Sequence, residues 1–466
     1  MTDSTATHDM PGADQERHAL ANPAYRRDLG DGLTLRWSTS ADADRLARFY
    51  GQVFREREQD PPNLRAMAWT RDMISGRHPL IGPDGFALVE HTATGEVVAA
   101  TCLLSEAWEV DGVRLPVGRP EIVGSLPDYR RRGLVREVMR LIHARSHALG
   151  HVAEVITGIA WYYRQFGYEY TVEFERGARI AAADIPAVKE GEPEPITLRP
   201  ATESDIPVIA RLYDEERASA LVSTPIDERY WRWAVVESDP HGDSFLRVFM
   251  VDDAGGEAIG YVMTGMSVWR GGLSIFGLWL RPGAWLGVFP ALLRGVSRIG
   301  EATTVSPSGG ATPFRALRFY LPQGHPALVT LPTVMNAEPL DEAYAWYVRV
   351  SDLPALLRLL APALERRLAA SPFAGYTGDL ALDFYRGGVR MTWREGKLAE
   401  VADWVKPVWG EGNAGFPPGV FLQLLFGYRD IGELHHVFPD VWAEGAAKAL
   451  LPTLFPRRES WALPLG

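Results

Sequence analysis

Runs of apolar residues with strand and helix periodicity alternate at the start of the chain. Residues 33–36 alternate as a short strand, and residues 42–55 place their apolar side chains on one helical face. Residues 86–90 and 97–104 predict two strands joined by a turn at Thr94-Gly95. Strands and helices mixed in this way predict an α+β fold with mixed sheets.

The same plan begins again further along the chain. Residues 196–206 repeat the order of residues 33–46, with a strand that contains Leu and Arg, a polar cap and an apolar-periodic helix. This order indicates a weak internal repeat at domain scale. Residues 181–195 are rich in Ala, Pro and Glu and fit a connector. A third block starts near residue 343 and carries a hairpin signal at Arg386-Gly387.

Chain length sets the expected number of domains. A chain of 466 residues exceeds one core, because domains usually have about 100–200 residues. We therefore expect a flexible polar tail over residues 1–28 and domains over residues 29–190, 191–337 and 338–466. The tail lacks the apolar core of a signal peptide, so we expect a cytoplasmic protein.

Composition argues against several kinds of partner. The net charge of −11 disfavours nucleic acid, which needs a basic surface. Because no apolar stretch approaches the ~20 residues that span a bilayer, we expect no membrane partner. The single cysteine, Cys102, cannot form an intrachain disulfide. We expect it in a buried strand, with a reactive thiol as the alternative. His435 and His436 diverge on a helix, so we expect no metal.

The candidate chemistry is concentrated in residues 122–136. There an apolar strand leads through a proline turn to three arginines and a glycine that open an amphipathic helix. Free N–H groups of a first helical turn, together with the helix dipole, bind anions. Gly133 allows close backbone approach, and Arg130 and Arg131 add charge. The pattern predicts a pyrophosphate cradle; the alternative is a basic helix start on a solvated surface.

The segment Arg130-Arg-Arg-Gly-Leu-Val135 resembles the cofactor motif of the GNAT superfamily, Gln/Arg-x-x-Gly-x-Gly/Ala. Val135 stands where a small residue is usual. The resemblance implies acetyl-CoA as co-substrate and no metal. It also implies that the cofactor is bound by the following residues: Ile122, Val123 and Ser125, through backbone pairing with the pantetheine arm, and Arg130, Arg131, Gly133, Leu134 and Val135 at the pyrophosphate.

A second element follows in residues 160–168. The sequence Ala-Trp-Tyr-Tyr-Arg-Gln-Phe-Gly-Tyr resembles the Phe-Tyr-x-x-x-Gly-Phe/Tyr helix of GNAT enzymes. The resemblance implies that Tyr163 is the general acid for the leaving thiolate. A phenol with a pKa near 10 is protonated at neutral pH and can serve in this way. The alternative is that Tyr163 packs in the core like Tyr162 and Phe166.

Both motifs together are similar to those of the enhanced intracellular survival (Eis-type) acetyltransferases. This resemblance implies tandem GNAT folds, the second of them degenerate, a C-terminal α+β domain with a sterol-carrier-like fold, and a hexameric assembly. In the second domain, residues 273–280 match the cofactor strand. They are followed by residues 281–287, which have no arginine cluster and place Trp285 where phosphate would lie. We expect this domain to form part of the substrate cleft and not to bind CoA.

The Eis-type resemblance also implies that the C-terminal carboxylate serves as the base, here on Gly466. The alternative is an exposed chain end. The sequence thus predicts an N-acetyltransferase that transfers acetyl directly, in a ternary complex, to an amine of a small molecule or peptide, including aminoglycoside-like polyamines. A non-catalytic CoA- or lipid-binding or sensing protein that uses the C-terminal domain remains the alternative.

Overall fold

The computed structural model describes residues 11–174, 177–188, 191–242, 246–306, 312–339, 344–405 and 412–465. Within these ranges the chain forms three β-sheets with helices packed against them. Each sheet combines antiparallel pairs with one parallel pair. The predicted α+β class with mixed sheets is therefore confirmed. No described helix has both the length and the apolar surface that a membrane crossing requires.

The first sheet is built mainly from the N-terminal third of the chain. Its strands, in spatial order, are β1 (Arg26–Gly30), β2 (Leu33–Trp37), β3 (Phe86–His91), β4 (Val97–Val110), β5 (Val113–Ser125), β6 (Ala153–Ile156), β16 (Tyr344–Arg349) and β7 (Glu169–Phe174). A short strand, β10 (Val222–Ser223), pairs with β4. The pair β5–β6 is parallel, and it is the point where the sheet begins to open.

Four helices accompany this sheet: α1 (Pro11–Ala21), α2 (Ala43–Val53), α3 (Leu64–Ile74) and α4 (Leu134–Ala148). Gly118 of β5 faces α4 so closely that a Cβ would lie 2.7 Å from the Ser146 hydroxyl. On the opposite face, Cys102 of β4 lies against Met73 of α3, with 4.0 Å between the two sulfur atoms. Cys102 is fully buried, and burial raises the pKa of its thiol, as expected of a strand residue in the core.

The predicted flexible tail needs correction over residues 11–28. Helix α1 packs along α4, and β1 pairs with β2. Because the helix is mostly polar, its sequence shows no clear apolar periodicity. Its C-terminal end is fixed by two side-chain hydrogen bonds. Trp37 Nε1 donates to the Leu20 carbonyl at 2.9 Å, and Arg145 Nε donates to the Ala21 carbonyl at 3.0 Å. Both bonds satisfy carbonyls that a helix end leaves free.

The second sheet follows the same strand plan. Its strands, in spatial order, are β15 (Glu338–Pro339), β8 (Gly177–Ala181), β14 (Ala316–Tyr320), β13 (Gly272–Leu280), β12 (Ala258–Gly265), β11 (Leu246–Asp253) and β9 (Ile196–Pro200). Its helices are α5 (Ile206–Arg217), α6 (Glu228–Arg232), α7 (Trp285–Ala302) and α8 (Pro326–Thr330). As β5 pairs with β6, β13 pairs with β14 in parallel.

The internal repeat is visible in the ion pairs of both sheets. In each, an arginine of the first long strand donates to two carboxylates, one from the capping box that precedes the next helix and one from the neighbouring strand. The equivalent groups are Arg36, Thr39, Asp42 and Glu90 in the first sheet and Arg199, Thr202, Asp205 and Asp252 in the second. The repeat inferred from residues 33–46 and 196–206 is thus structural.

One strand, the exchanged strand β16, returns to the first sheet from beyond the second, and β8 is the strand with which the second sheet begins in the chain. Strand β16 lies between β6 and β7, although it follows the whole second sheet in the chain. Strand β8 lies between β14 and β15, although it follows the first sheet. The predicted boundaries at residues 190 and 337 therefore separate both strands from the sheets that contain them.

The third sheet lies in the C-terminal part. Its strands, in spatial order, are β19 (Lys397–Asp403), β18 (Gly388–Arg394), β17 (Gly378–Asp383), β20 (Ala414–Gly415) and β21 (Trp442–Ala443). The accompanying helices are α9 (Leu353–Leu359), α10 (Ala361–Ala369), α11 (Val420–Leu425), α12 (Ile431–Val437) and α13 (Ala447–Leu454). The hairpin predicted at Arg386-Gly387 is confirmed by β17 and β18. A sterol-carrier-like fold for this part stays a prediction.

Candidate active site

Strand β5 carries a bulge where the sheet opens. Ala100 pairs with Gly124 and Cys102 pairs with Glu121, so Thr101 faces two residues, Ile122 and Val123. Ile122 takes a φ of +46°, which is rare for a β-branched residue. Strand β6 pairs with β5 only at Val117 and Gly118, so no described strand covers the far half of β5 on that side.

The three residues predicted to contact pantetheine lie along this open half of β5. Ile122 is buried in the core of the first sheet. Val123 points the other way and packs against the cluster of side chains around Tyr163. Ser125 is the last residue of the strand and pairs with Ala99. A ligand chain lying in this groove could pair with the free backbone edge.

The predicted pyrophosphate cradle follows directly. Gly133 caps α4 in the left-handed conformation, with φ of +78°, and a Cβ there would meet no atom within 4 Å. Arg131 also has a positive φ, of +61°. A left-handed residue before a helix start turns backbone N–H groups toward one point in space, which favours anions. The space above Gly133 is therefore open to a phosphate.

The three arginines of the predicted cradle differ in whether they form an ion pair. Arg132 pairs with Asp31 of the β1–β2 turn at 2.9 Å. Arg130 and Arg131 are exposed and form no ion pair within the described residues. Two cations therefore lie at the exposed N-terminus of α4, a helix of fifteen residues. Leu134 is buried behind the rim, and Val135 packs against the Tyr163 cluster.

Tyr163 lies in the short 3-10 helix Tyr162–Phe166, at the end of the groove. Its ring contacts those of Tyr162 and Tyr347, with centroid distances of 5.2 and 5.5 Å. Burial, and then the negative charge of Glu121, raise the pKa of its phenol well above the ordinary value. Tyr163 is more deeply buried than Tyr162 and Phe166. It is protonated throughout the physiological range.

The loop between β6 and this 3-10 helix is fixed by the exchanged strand β16. Tyr344 Oη accepts from the Gly158 N–H at 2.6 Å and also donates to the Gly158 carbonyl. Gly158 has a φ of +130°, and a Cβ there would come within 3.3 Å of the Tyr163 ring. Only glycine combines this backbone conformation with this approach. Strand β16 thereby helps to position Tyr163.

The structure adds three charged residues that the sequence analysis missed. Glu106 on β4 and Arg119 and Glu121 on β5 point to the face covered by α2 and α3. Arg119 Nη1 donates to Glu121 Oε2 at 2.9 Å, and Arg119 Nε lies 3.6 Å from Glu106 Oε1. The available signal was charged residues at inward positions of strands that otherwise alternate or run apolar.

Glu121 is the most accessible member of this cluster. Its side chain is one-fifth exposed, and Oε1 accepts from the Ile122 N–H at 3.0 Å. Burial is the main cause of the raised pKa of Tyr163 and of Tyr50 on α2, and the charge of Glu121 adds to both. Glu121 and Tyr163 are therefore close enough for the carboxylate charge to act on the phenol.

The end of the described chain lies beside the same cluster. Trp461 N–H donates to the Val222 carbonyl at 2.7 Å, and the Thr224 hydroxyl donates to the Leu463 carbonyl at 3.0 Å. Leu465 is buried, and its backbone N–H faces Glu106. Gly466, whose carboxylate the sequence analysis assigned as base, lies outside the described residues.

The corresponding groove of the second sheet is filled. Helix α7 begins four residues after Arg281, whereas α4 begins eight residues after Leu126, the equivalent position. The loop that forms the cradle is thus missing. The N–H of Leu278, which corresponds to Val123, donates to the Glu216 carboxylate at 2.9 Å. Tyr261 Oη and His325 Nε2 complete the partners of that carboxylate.

The comparison with protein families addresses the first sheet. Residues 34–171 match the family model for the acetyltransferase (GNAT) domain. The chain contains a GNAT acetyltransferase domain. The matched segment of the GNAT domain includes the β5 bulge, the cradle and Tyr163. Among curated proteins no significant match is found.

Solved structures share the fold over nearly the whole chain. A GCN5-related N-acetyltransferase from Kribbella flavida is 20% identical, with a TM-score of 0.61, over 93% of this chain and 100% of its own. One from Anabaena variabilis is 14% identical, with a TM-score of 0.63, over 92% and 99%. Eis1 from Mycobacterium abscessus is 14% identical, with a TM-score of 0.53, over 92% and 99%. These likenesses establish the fold beyond the GNAT domain.

Proposed function

We propose that the protein is an acetyl-CoA-dependent N-acetyltransferase that transfers acetyl directly to an amine in a ternary complex. One observation carries the proposal: Val123 of the uncovered half of β5 and Val135 of the first turn of α4 both pack against the Tyr163 cluster, so the helix start at Gly133, the free strand edge and the phenol adjoin one another. A binding protein has no need of a proton donor at that position.

The residues of the groove fit acetyl-CoA. The N–H groups at the start of α4 would hold the pyrophosphate together with Arg130 and Arg131, which form no ion pair with another described residue. The backbone of Ile122, Val123 and Ser125 would pair with the pantetheine arm. Bound in this way, acetyl-CoA supplies a thioester carbonyl at the bulge of β5.

The chemical step needs one base and one acid. Glu121 removes a proton from the acceptor ammonium, and the neutral nitrogen attacks the thioester carbonyl carbon. Backbone N–H groups of β5 stabilise the developing oxyanion. As the C–N bond forms, the C–S bond breaks, and its electron pair leaves with sulfur. Tyr163 donates its proton to that sulfur, and the second proton that nitrogen must lose returns through solvent to the Tyr163 phenolate, so the products are an amide and the free thiol of CoA.

A carboxylate on Gly466 is a second candidate for the base, because Leu465 lies beside Glu106. The two candidates differ in a simple test. Glu121→Gln removes the first base and leaves the chain end intact, whereas one added C-terminal glycine moves the second and leaves Glu121 intact. The proposal for Glu121 requires a drop in kcat of about 100-fold in the first variant only.

A cationic amine suits the acceptor side, because the partly exposed Glu121 carboxylate lies there. We propose a primary amine of a small molecule or peptide, with polyamines such as aminoglycosides among the candidates. The identity of the acceptor is set by side chains at the cleft and not by the cradle. A homo-oligomer, hexameric by resemblance, and a cytoplasmic location stay predictions.

Incubation with acetyl-CoA and a panel of amines, with the release of free thiol followed over time, tests the proposal. Turnover should fall about 100-fold or more in Tyr163→Phe, with CoA affinity unchanged. In the double variant Arg130→Glu and Arg131→Glu, CoA affinity itself should fall. CoA binding without turnover on any amine would favour the non-catalytic alternative, for which intact Tyr163 has no explanation.

A further inference from the structure

The turn between β4 and β5 carries an aspartate that the proposed mechanism does not use. Asp111 has a φ of +49°, and its side chain is only about one-fifth exposed, although it lies at the tip of a hairpin. Its Oδ1 accepts from Arg458 Nη1 at 2.6 Å, and its Oδ2 accepts from Arg367 Nε at 2.9 Å. Its carbonyl accepts from Arg366, and its N–H donates to the Leu221 carbonyl at 2.9 Å. Every polar group of Asp111 thus has a partner from a distant part of the chain.

The two ion pairs of Asp111 connect the hairpin to the C-terminal part of the chain. Burial acts to raise the pKa of Asp111, but the bonds from Arg458 and Arg367 outweigh it and hold the pKa below the ordinary value. Both arginines are also fixed on their other sides. Arg367 of α10 donates to the Leu454 carbonyl of α13 at 2.6 Å, and Arg458 donates to the Ser219 carbonyl at 3.2 Å. Charge-assisted bonds with this fixed geometry can hold a segment in place.

Arg458 lies near the start of the C-terminal segment, residues 457–465. Strand β10 runs antiparallel to β4, and the segment forms a parallel bridge to β10. The segment therefore runs antiparallel to β4. It begins beside Asp111, where β4 has just ended, and its Leu465 N–H faces Glu106, which lies earlier on β4. One end of the segment is thus anchored at the hairpin tip, and the other lies at the charged cluster of the candidate site.

Backbone pairing alone specifies the register of this segment weakly. Strand β10 has only two residues. A shift of the segment by two residues would keep the same face toward the core, because Trp461, Leu463 and Leu465 are buried there with a period of two. The bond between Arg458 and Asp111 excludes such a shift, because it would move Arg458 along the strand by about 7 Å. The ion pair therefore supplies the register that the short pairing lacks.

We propose that Asp111 is a positioning residue, which sets the register of the C-terminal segment through Arg458 and so places Leu465 against the charged cluster of β4 and β5. In that cluster Arg119 donates to Glu121, the proposed base, at 2.9 Å. As far as activity is concerned, the inference rests on the proposed function. A segment out of register would admit water beside the cluster and leave Glu121 less firmly oriented. The cradle at the start of α4 makes none of these bonds, so CoA affinity should not change.

Asp111→Asn in the full chain is the test, because it keeps the size of the side chain and removes its charge. Hydrogen exchange of the amides in residues 459–465 should quicken by about 10-fold or more. The value of kcat with an accepted amine should fall about 3-fold or more, with CoA affinity unchanged. Arg458→Met should act in the same way. The double variant should lose less than the product of the two single effects, because both substitutions remove the same bond.

Arg457→Met is the matched control, because Arg457 precedes Arg458 but pairs with Glu433 of α12 at 2.7 Å. It should leave both kcat and the exchange of residues 459–465 unchanged. The inference is overturned if Asp111→Asn leaves the exchange of the segment unchanged, or quickens α4 equally, as a general loss of stability would. Faster exchange of the segment with an unchanged kcat also overturns it. If the wild type turns over no amine, the proposed function fails, and exchange alone then decides whether Asp111 sets the register.

Discussion

At the scale of single residues, Glu106 makes the stability of the protein depend on pH. Burial raises its pKa from 4.5 to about 7, so between these values the folded chain holds a proton that the unfolded chain has released. Its contribution to stability is therefore present below pH 4.5 and is lost as the pH rises through 7. The full difference is about 3 kcal/mol.

Glu106→Gln should remove this dependence. Relative to the wild type, the variant should gain up to about 3 kcal/mol in the free energy of unfolding between pH 4.5 and 8. Urea unfolding at several pH values, with wild type and variant measured side by side, gives the difference directly. Two parallel curves would mean that Glu106 is not protonated in the folded state.

Gly158 is a second residue whose chemistry can be tested alone. A Cβ at this position would press against the Tyr163 ring at 3.3 Å, and its φ of +130° strains any other residue. Gly158→Ala should therefore displace the acid and lower kcat by about 10-fold or more, with little change in CoA affinity. Initial rates and a CoA titration on the same preparation separate the two effects.

Gly150→Ala is the control for backbone strain alone. Gly150 lies just after α4 and has a φ of +76°. A Cβ at this position would meet no atom within 4 Å. This variant should lose stability and keep its kcat. Equal losses of kcat in both variants would show that strain, and not the contact with Tyr163, explains the effect of Gly158→Ala.

At the scale of elements, the sequence pattern predicted the strands and helices whose formation depends on residues close together in the chain. The alternation of residues 33–36 and 86–90 matches β2 and β3, and the stripe after Gly133 matches α4. Helices α9 and α10 follow one another closely but remain separate, because Pro362 cannot continue a helix. Strands β8 and β16 were assigned to the wrong sheets, since periodicity shows which face is buried and not which strand lies alongside.

The candidate site also has a part that the sequence could predict and a part that it could not. Gly133, Arg130 and Arg131 could be predicted together because a cradle is a local motif, and they lie at one open helix start. Their role in binding a pyrophosphate stays a prediction. The pairing of Arg119 with Glu121 and Glu106 could not be found, because it depends on the register of β4 against β5. That register follows from the bulge at Ile122, which no local signal marks.

The exchanged strand β16 has a testable task as an element. Its Tyr344 hydroxyl binds both backbone groups of Gly158, which fixes the loop in front of Tyr163. Tyr344→Phe removes those bonds and keeps the ring, so kcat should fall about 3- to 10-fold, as expected for about 1 kcal/mol. Tyr376→Phe is the matched control, because the one hydrogen bond that the Tyr376 hydroxyl makes among the described residues is long, 3.5 Å, and goes to the Asp379 carbonyl in the third sheet. A Tyr344→Phe enzyme with unchanged kcat would show that β16 only completes the sheet.

At the scale of the whole molecule, strands β16 and β10 tie the first two sheets together. Strand β16 follows the second sheet in the chain but pairs with β6 and β7 of the first, and β10 lies in the chain among the strands of the second sheet but pairs with β4. The C-terminal segment adds a third tie: Trp461 and Leu463 pack in the core of the second sheet, while Ala462 between them accepts from Trp346 Nε1 of β16 at 3.0 Å. The second sheet, where the Leu278 N–H is occupied by the Glu216 carboxylate, is thus joined to the GNAT domain by both strands and by the C-terminal segment.

This linkage predicts that CoA bound at the first sheet protects the second sheet equally. At 100 times its dissociation constant a ligand adds about 2.7 kcal/mol to the stability of everything that unfolds with its site. Hydrogen exchange of β12 and β13 should therefore slow by about 100-fold on addition of CoA, as should that of β3 and β4. The double variant Arg130→Glu and Arg131→Glu is the control, and in it neither pair of strands should respond. Slowing confined to β3 and β4 would mean that the second sheet opens independently of the first. The strands that join the two sheets would then not couple their unfolding.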